Sequence, residues 1–252
     1  MDRGELRVLR RKVATACRIL GHAGLTEDIL GHVSARVGDD QLLVRCRGSA
    51  ERGLAFTTED DVRLVALDGS DPGGGYSVPN ELPIHVEILR ARPDVHAVVH
   101  AHPPTVVVAD LAGVPLLPMF GAYNIPAAKL AAEGIPVYPR GVLIRTAALA
   151  AEMLEAMGDR PACVLRGHGI TTTGASVEQA VAIALALDSL ARVASGVVAL
   201  GGSVNAMPAS DLDALPDLGP GFNDATLFRH HEARLEAAGL GLGAPTGGHS
   251  DD

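Results

Sequence analysis

Between residues 31 and 67 the chain has room for strands and tight turns but not for the long crossovers that parallel strands require. Three short apolar runs, His32-Val33-Ser34-Ala35-Arg36-Val37, Gln41-Leu42-Leu43-Val44 and Val62-Arg63-Leu64-Val65-Ala66-Leu67, are punctuated by Gly38-Asp39-Asp40 and Asp68-Gly69-Ser70. Turns of this kind join antiparallel neighbours, whereas a parallel pair needs a dozen or more connecting residues. A hairpin-rich sheet is therefore expected early in the chain.

Helical periodicity surrounds this segment. Leu6, Leu9, Val13, Cys17 and Leu20 step by three and four, which predicts an amphipathic helix ending near Gly21 or Gly24. Asn80 is placed to cap a helix through Glu81, Ile84, Ile88 and Leu89 that stops at Pro93, with Pro83 tolerated in the first turn. Residues 95–102 read as a strand closed by Pro103-Pro104; a short helix from Thr105 and a Pro-punctuated run over 114–138 follow. Thr146 starts a helix through Leu149, Met153 and Met157. Residues 162–166 and 170–173 read as strands joined by the tight turn Gly167-His168-Gly169. Ser176 and Gln179 form a capping box for a long helix; after a loop to 221, a last short helix covers 226–238. With no internal repeat and no shift in composition, 1–238 reads as one α/β domain, followed by a flexible Gly/Pro-rich tail over 239–252.

At 252 residues the core needs neither disulfide nor structural metal, so any metal site is suspected of function. A net charge of −9, without a basic block longer than Arg10-Arg11-Lys12, makes nucleic acid an unexpected partner. Cys17, Cys46 and Cys163 are odd in number and form no C-x-x-C pair, which suits a reducing cytosol and small buried side chains. Basic residues interrupt the apolar positions of the first twenty residues, and Asp188 and Arg192 interrupt the apolar stretch 181–200. The expectation is a cytoplasmic protein with no membrane span.

Chemistry concentrates in a few places. His100 and His102, two apart on a predicted strand, put both rings on one face, where they can chelate a divalent ion or simply face solvent. His168, between two glycines, sits where missing Cβ atoms allow a close backbone approach to a metal or substrate. Glu81, at a helix start, can be a base, an extra ligand or a plain first-turn acid.

Taken together, Glu81, His100-Ala101-His102 and Arg166-Gly167-His168-Gly169, with the stretch Arg90-Ala91-Arg92-Pro93-Asp94-Val95-His96-Ala97-Val98-Val99 before the histidines and Gly31-His32-Val33-Ser34 in the first strand, resemble the class II aldolase/adducin family over nearly the whole chain. The resemblance implies a single three-layer α-β-α domain with a mixed, largely antiparallel central sheet. It also implies a homotetramer with active sites between subunits. His100, His102 and His168 would hold zinc, or manganese, iron or cobalt, and Glu81 would be the acid/base carboxylate. The family's adducins lack the metal histidines and act as interaction modules, whereas this chain keeps all three.

The phosphate-binding residues of the family's sugar-phosphate aldolases are replaced here by His32, Arg47-Gly48 and Pro79-Asn80. Arg47 can form a bidentate pair with a substrate carboxylate, or an ion pair with Glu51. The aldolases' C-terminal tyrosine has no counterpart, and His231 is the nearest replacement as a proton donor, or else an exposed helix residue. These changes resemble the branch containing decarboxylases of hydroxylated aromatic acids. The expected enzyme is a metal-dependent carbon–carbon lyase acting on a small aromatic acid, with catalytic Glu81 and His231 and with His32, Ser34 and Arg47 at the substrate. An aldolase acting on a sugar phosphate or hydroxy-ketone, a dehydratase and an epimerase remain as alternatives on the same fold.

Overall fold

Alternation along the strands divides the protein into two apolar layers on either side of one sheet. A computed structural model describes residues 1–70 and 72–243. Its strands are β1 (His32–Val37), β2 (Gln41–Arg45), β3 (Val62–Ala66), β4 (Ala97–Ala101), β5 (Val137–Tyr138), β6 (Ala162–Leu165) and β7 (Gly169–Gly174). They form one seven-stranded sheet in the order β3-β2-β1-β4-β7-β6-β5. Every adjacent pair is antiparallel except β5 and β6, which makes the sheet mixed and largely antiparallel as expected.

The helices are α1 (Arg3–His22), α2 (Leu82–Ala91), α3 (Pro104–Leu111), α4 (Ile125–Ala131), α5 (Ala147–Met157), α6 (Val177–Ala199), α7 (Ala209–Ala214) and α8 (Leu227–Ala237). Val33, Ala35, Ala97, Val99 and Ala101 point to one side, where α1, α3, α4, α6 and α8 cover them. Val44, Val65, Val98, Cys163 and Leu165 point to the other, under α2 and α5. The period of two in strands puts His32, Ser34 and His100 on the α2 side. All three cysteines are buried and free.

Local chemistry accounts for most helix starts. Asp2 and Glu5 cap α1 reciprocally, and Thr146 Oγ1 accepts from Leu149 N. At α6, Ser176 Oγ accepts from Gln179 N while the Gln179 side chain bonds Ala175 N, one residue outside the expected box. The sequence reading ran past α4 because Pro126 sits in its first turn, where proline is tolerated, and Asn124 caps it through Ala127 N. The short α7 likewise interrupts the expected loop.

By length and composition α6 could cross a membrane. Instead it packs on β4 and β7 and against α1, α3 and α4, and Thr105 Oγ1 donates to its Asp188. The first part of the expected tail is attached: Leu240 and Leu242 pack on the core, and Arg18 Nη1 donates to Leu240 O at 2.7 Å. The rest of that tail, 244–252, lies outside the described residues.

Candidate metal centre

The site forms where β4 ends. His100 is the fourth residue of β4, and His102 follows the last, held by its N–H on Leu25 O at 3.0 Å. Antiparallel pairing of His100 with Thr171 and of Ala101 with Ile170 brings the turn before β7, and with it His168, alongside. Asp110 secures that turn, accepting from Gly167 N at 2.7 Å and from Arg166 Nε at 3.0 Å. Gly169 is a steric requirement, because a Cβ there would lie 2.3 Å from Ala101 O.

Glu81 arrives from the other layer. The sequence reading placed Asn80 at the cap of α2, but the cap position is Glu81 itself, and its carboxylate turns away from its own helix. One oxygen, Oε1, accepts from Ile144 N at 3.0 Å; Oε2 lies 3.2 Å from His100 Nε2 and 3.5 Å from His168 Nε2. His100 Nε2 and His102 Nε2 are 2.8 Å apart. One ligand atom from each of Glu81, His100, His102 and His168 falls within 4.8 Å of all the others.

These donors fit a divalent ion. His100 Nδ1 is 3.0 Å from Ile170 O, and a carbonyl only accepts, so the proton is on Nδ1 and the Nε2 lone pair faces the cluster. Burial, then the neighbouring His100 and His168, push His102 down to about 3, so it is neutral at pH 7. Burial disfavours ionised Glu81, but the adjacent His100 and His168 imidazoles outweigh it and hold the carboxyl well below the usual carboxylate range. His168 Nδ1 is enclosed without a partner. Three imidazoles and one carboxylate brought together in this way are the donor set of zinc and related ions.

The remaining expected residues divide. His32 pairs in register with His100, its ring centroid 4.9 Å away, and burial followed by His85 and His100 lowers it well below the ordinary histidine value. Ser34 does not reach the site, since it is fully buried and its Oγ lies 2.6 Å from His85 Nδ1. His85, whose Nε2 is 2.6 Å from His32 Nδ1, escaped the sequence reading, because a histidine among the apolar positions of α2 carries no local signal.

Arg47 is half-buried and free of ion pairs among the described residues; the Glu51 partner is Arg45, which also donates to Gly31 O. A backbone bridge to Ser77 ties Arg47 to the segment leading into Glu81. His231 does not join the cluster within one chain. It sits on α8, across the sheet, beside a cavity of about 760 Å³ also lined by His22, Tyr123, Arg192 and Arg234. Burial, then His230 and Arg234, push it below the ordinary histidine value, down to about 4.

Fully buried His85, pushed down to about 3 by burial and then His100, makes stability depend on pH. Its folded value lies below the unfolded one of about 6.5, so acid protonates the unfolded chain first. Stability is full above pH 6.5 and is lost as pH falls toward 3, by about 1.4 kcal/mol per pH unit for this one group. Urea unfolding at pH 7 and pH 5 should show the loss, and His85→Gln should reduce the slope.

A family model described as Class II Aldolase and Adducin N-terminal domain matches residues 11–195. The chain is 57% identical to 3,4-dihydroxyphthalate decarboxylase of Arthrobacter keyseri over 234 residues, covering 91% of this chain and 94% of that one. It is 49% identical to the protein of the same name from Rhodococcus jostii (strain RHA1), with 93% and 98% covered. Among solved structures, L-fuculose 1-phosphate aldolase from Glaciozyma antarctica PI12 superimposes with a TM-score of 0.74 at 21% identity, over 92% of each chain, a likeness of fold.

Proposed function

The chain belongs to the class II aldolase and adducin family, and from that premise we propose that it releases CO2 from a dihydroxylated aromatic carboxylic acid of the 3,4-dihydroxyphthalate kind, as a step in the breakdown of aromatic compounds. It is an enzyme, a carbon–carbon lyase. The observation that carries the substrate reading is the close relationship to the two decarboxylases. His32 and Arg47, in place of the aldolases' phosphate-binding groups, support it.

A divalent ion held by His100, His102 and His168 beside Glu81 would supply Lewis-acid stabilisation of negative charge on the two adjacent ring oxygens of a catechol. We take it to be zinc; manganese, iron and cobalt accept the same donors. Arg47, without an acidic partner among the described residues, offers a planar fork to a substrate carboxylate. His32 borders the cluster from β1 and contributes to the same grip. As the carbon–carbon bond breaks, its electron pair stays on the ring carbon, which takes up one proton as CO2 leaves. Glu81, already at the cluster and ionised, carries that proton only after first accepting it. His231 can do so only from a neighbouring subunit, as in the homotetramer with sites between subunits that the family resemblance implies. Free buried cysteines support a cytoplasmic location.

The test is CO2 release from 3,4-dihydroxyphthalate by purified protein with and without a chelator, beside aldehyde detection with sugar-phosphate and hydroxy-ketone substrates. Chelator-sensitive CO2 release is expected; aldehyde without CO2 would replace the reading with an aldolase using Glu81 as base. Arg47→Ala should raise KM roughly tenfold, about 1.4 kcal/mol of binding common to ground and transition states, with kcat nearly unchanged. Steady-state kinetics decide it, and an unchanged KM would remove Arg47 from the substrate.

A further inference from the structure

Two histidines stand side by side in the register of β1 and β4, and their second nitrogens meet different partners. We propose that Ser34 and His85 form a buried hydrogen-bond chain that holds His32 as its Nε2–H tautomer, so that His32 donates an N–H to an anionic oxygen of the substrate rather than binding the metal. The substrate part rests on the reading of this site as one for a carboxylated aromatic.

The geometry assigns the protons. Ser34 and His32 are two apart on β1 and share the face covered by α2, from which His85 descends between them. Ser34 Oγ and His85 Nδ1 are 2.6 Å apart, as are His85 Nε2 and His32 Nδ1. Among the described residues the Ser34 hydroxyl has no acceptor other than His85 Nδ1, and a buried hydroxyl left unpaired is costly. Ser34 therefore donates, which places the His85 proton on Nε2, directed at His32 Nδ1. That nitrogen accepts, so the His32 proton lies on Nε2. A doubly protonated His85 would impose the same tautomer on His32. The reverse chain would strand the serine proton in the core.

The two neighbours thus take opposite roles. The carbonyl of Ile170 makes His100 an Nδ1–H tautomer with a lone pair toward the cluster, while His85 makes His32 a donor. Among the described residues His32 Nε2 has no hydrogen-bond partner, yet it is not among the sealed unpartnered atoms. It is open to a ligand. His32 is also outside the set of residues whose donor atoms converge on one point. Gly31, just before it, is held by Arg45 Nη1 at 2.7 Å, which fixes where the strand begins. His85 and Ser34 are positioning residues, since neither has surface to touch a ligand.

The experiment uses the full-length metal-loaded protein labelled with 15N-histidine. Imidazole nitrogen–proton correlation spectra, assigned by loss of signal in His32→Asn and His85→Gln, should show His32 protonated on Nε2, and that N–H should shift on adding phthalate, a dicarboxylate probe. Ser34→Ala should bring a mixed His32 tautomer and a roughly tenfold higher KM at unchanged metal content, and Ser34→Thr should restore both. His32 found protonated on Nδ1, or a Ser34→Ala variant with the wild-type tautomer and KM, would overturn the proposal. An Nε2–H tautomer in a protein that releases no CO2 would leave the chain standing and remove the substrate reading.

Discussion

His100→Ala should abolish bound metal and turnover together. His100 is completely buried in a central strand, its Nδ1 spent on Ile170 O and its Nε2 within reach of both His102 and Glu81, so no neighbouring side chain can take its place. Removing it leaves His102, His168 and Glu81 without their common neighbour and leaves a void beside Glu81. Loss of transition-state charge stabilisation predicts a fall in kcat/KM of at least about a thousandfold, on the order of 4 kcal/mol. Metal content by elemental analysis and CO2 release should fall in parallel, while circular dichroism shows the sheet retained. Full turnover by metal-free protein would sink the account of the site.

Gly169→Ala should be the most damaging glycine-to-alanine change among the described residues. Its Cβ would fall 2.3 Å from Ala101 O and 3.0 Å from Cδ2 of His102, inside any permitted contact with backbone. Backbone cannot swing aside as a flexible side chain does, so β7 must move away from β4 just where His102 and His168 approach each other. The expected destabilisation is about 3 kcal/mol, lowering the melting temperature by on the order of 10 °C. Displaced ligands should weaken metal binding a further 10- to 100-fold. A variant that melts with the parent and binds metal equally well would show that the two strands are not in the close contact described. Gly141, whose Cβ would lie at an ordinary 3.5 Å from Arg166 O, serves as the control: Gly141→Ala should leave metal content unaltered.

What could be read in the chain follows the range of each interaction. Strand alternation and tight turns act over a few residues, so β1, β2, β3 and the shared face of His100 and His102 were legible, as were the caps at Thr146 and Ser176. Helix α4 was not, because its proline and glycine-flanked surroundings carry the same local marks as a loop until Asn124 is seen to cap it. Glu51 shows the limit of spacing as a guide. Arg45 and Arg47 are both within its reach along the chain, and it is Arg45, the last residue of β2, that the fold brings to the carboxylate. Ser34 is expected at the substrate as part of the motif Gly31-His32-Val33-Ser34, and it does share a face with His32; that α2 lies over it is a tertiary fact.

The sequence by itself indicated the class of the sheet through turn chemistry and period-two alternation, which are local patterns; local patterns left His100, His102, His168 and Glu81 only as candidates, and it was their resemblance to a family motif that joined them into one ligand set. Only the tertiary structure decided what each nitrogen does. The register of β1 against β4 and of β4 against β7, and the crossing of α2 over them, set which partner meets Nδ1 and which space meets Nε2. A histidine's role is fixed by the partner of its other nitrogen, and here those partners, Ile170 and His85, lie 70 and 53 residues away along the chain.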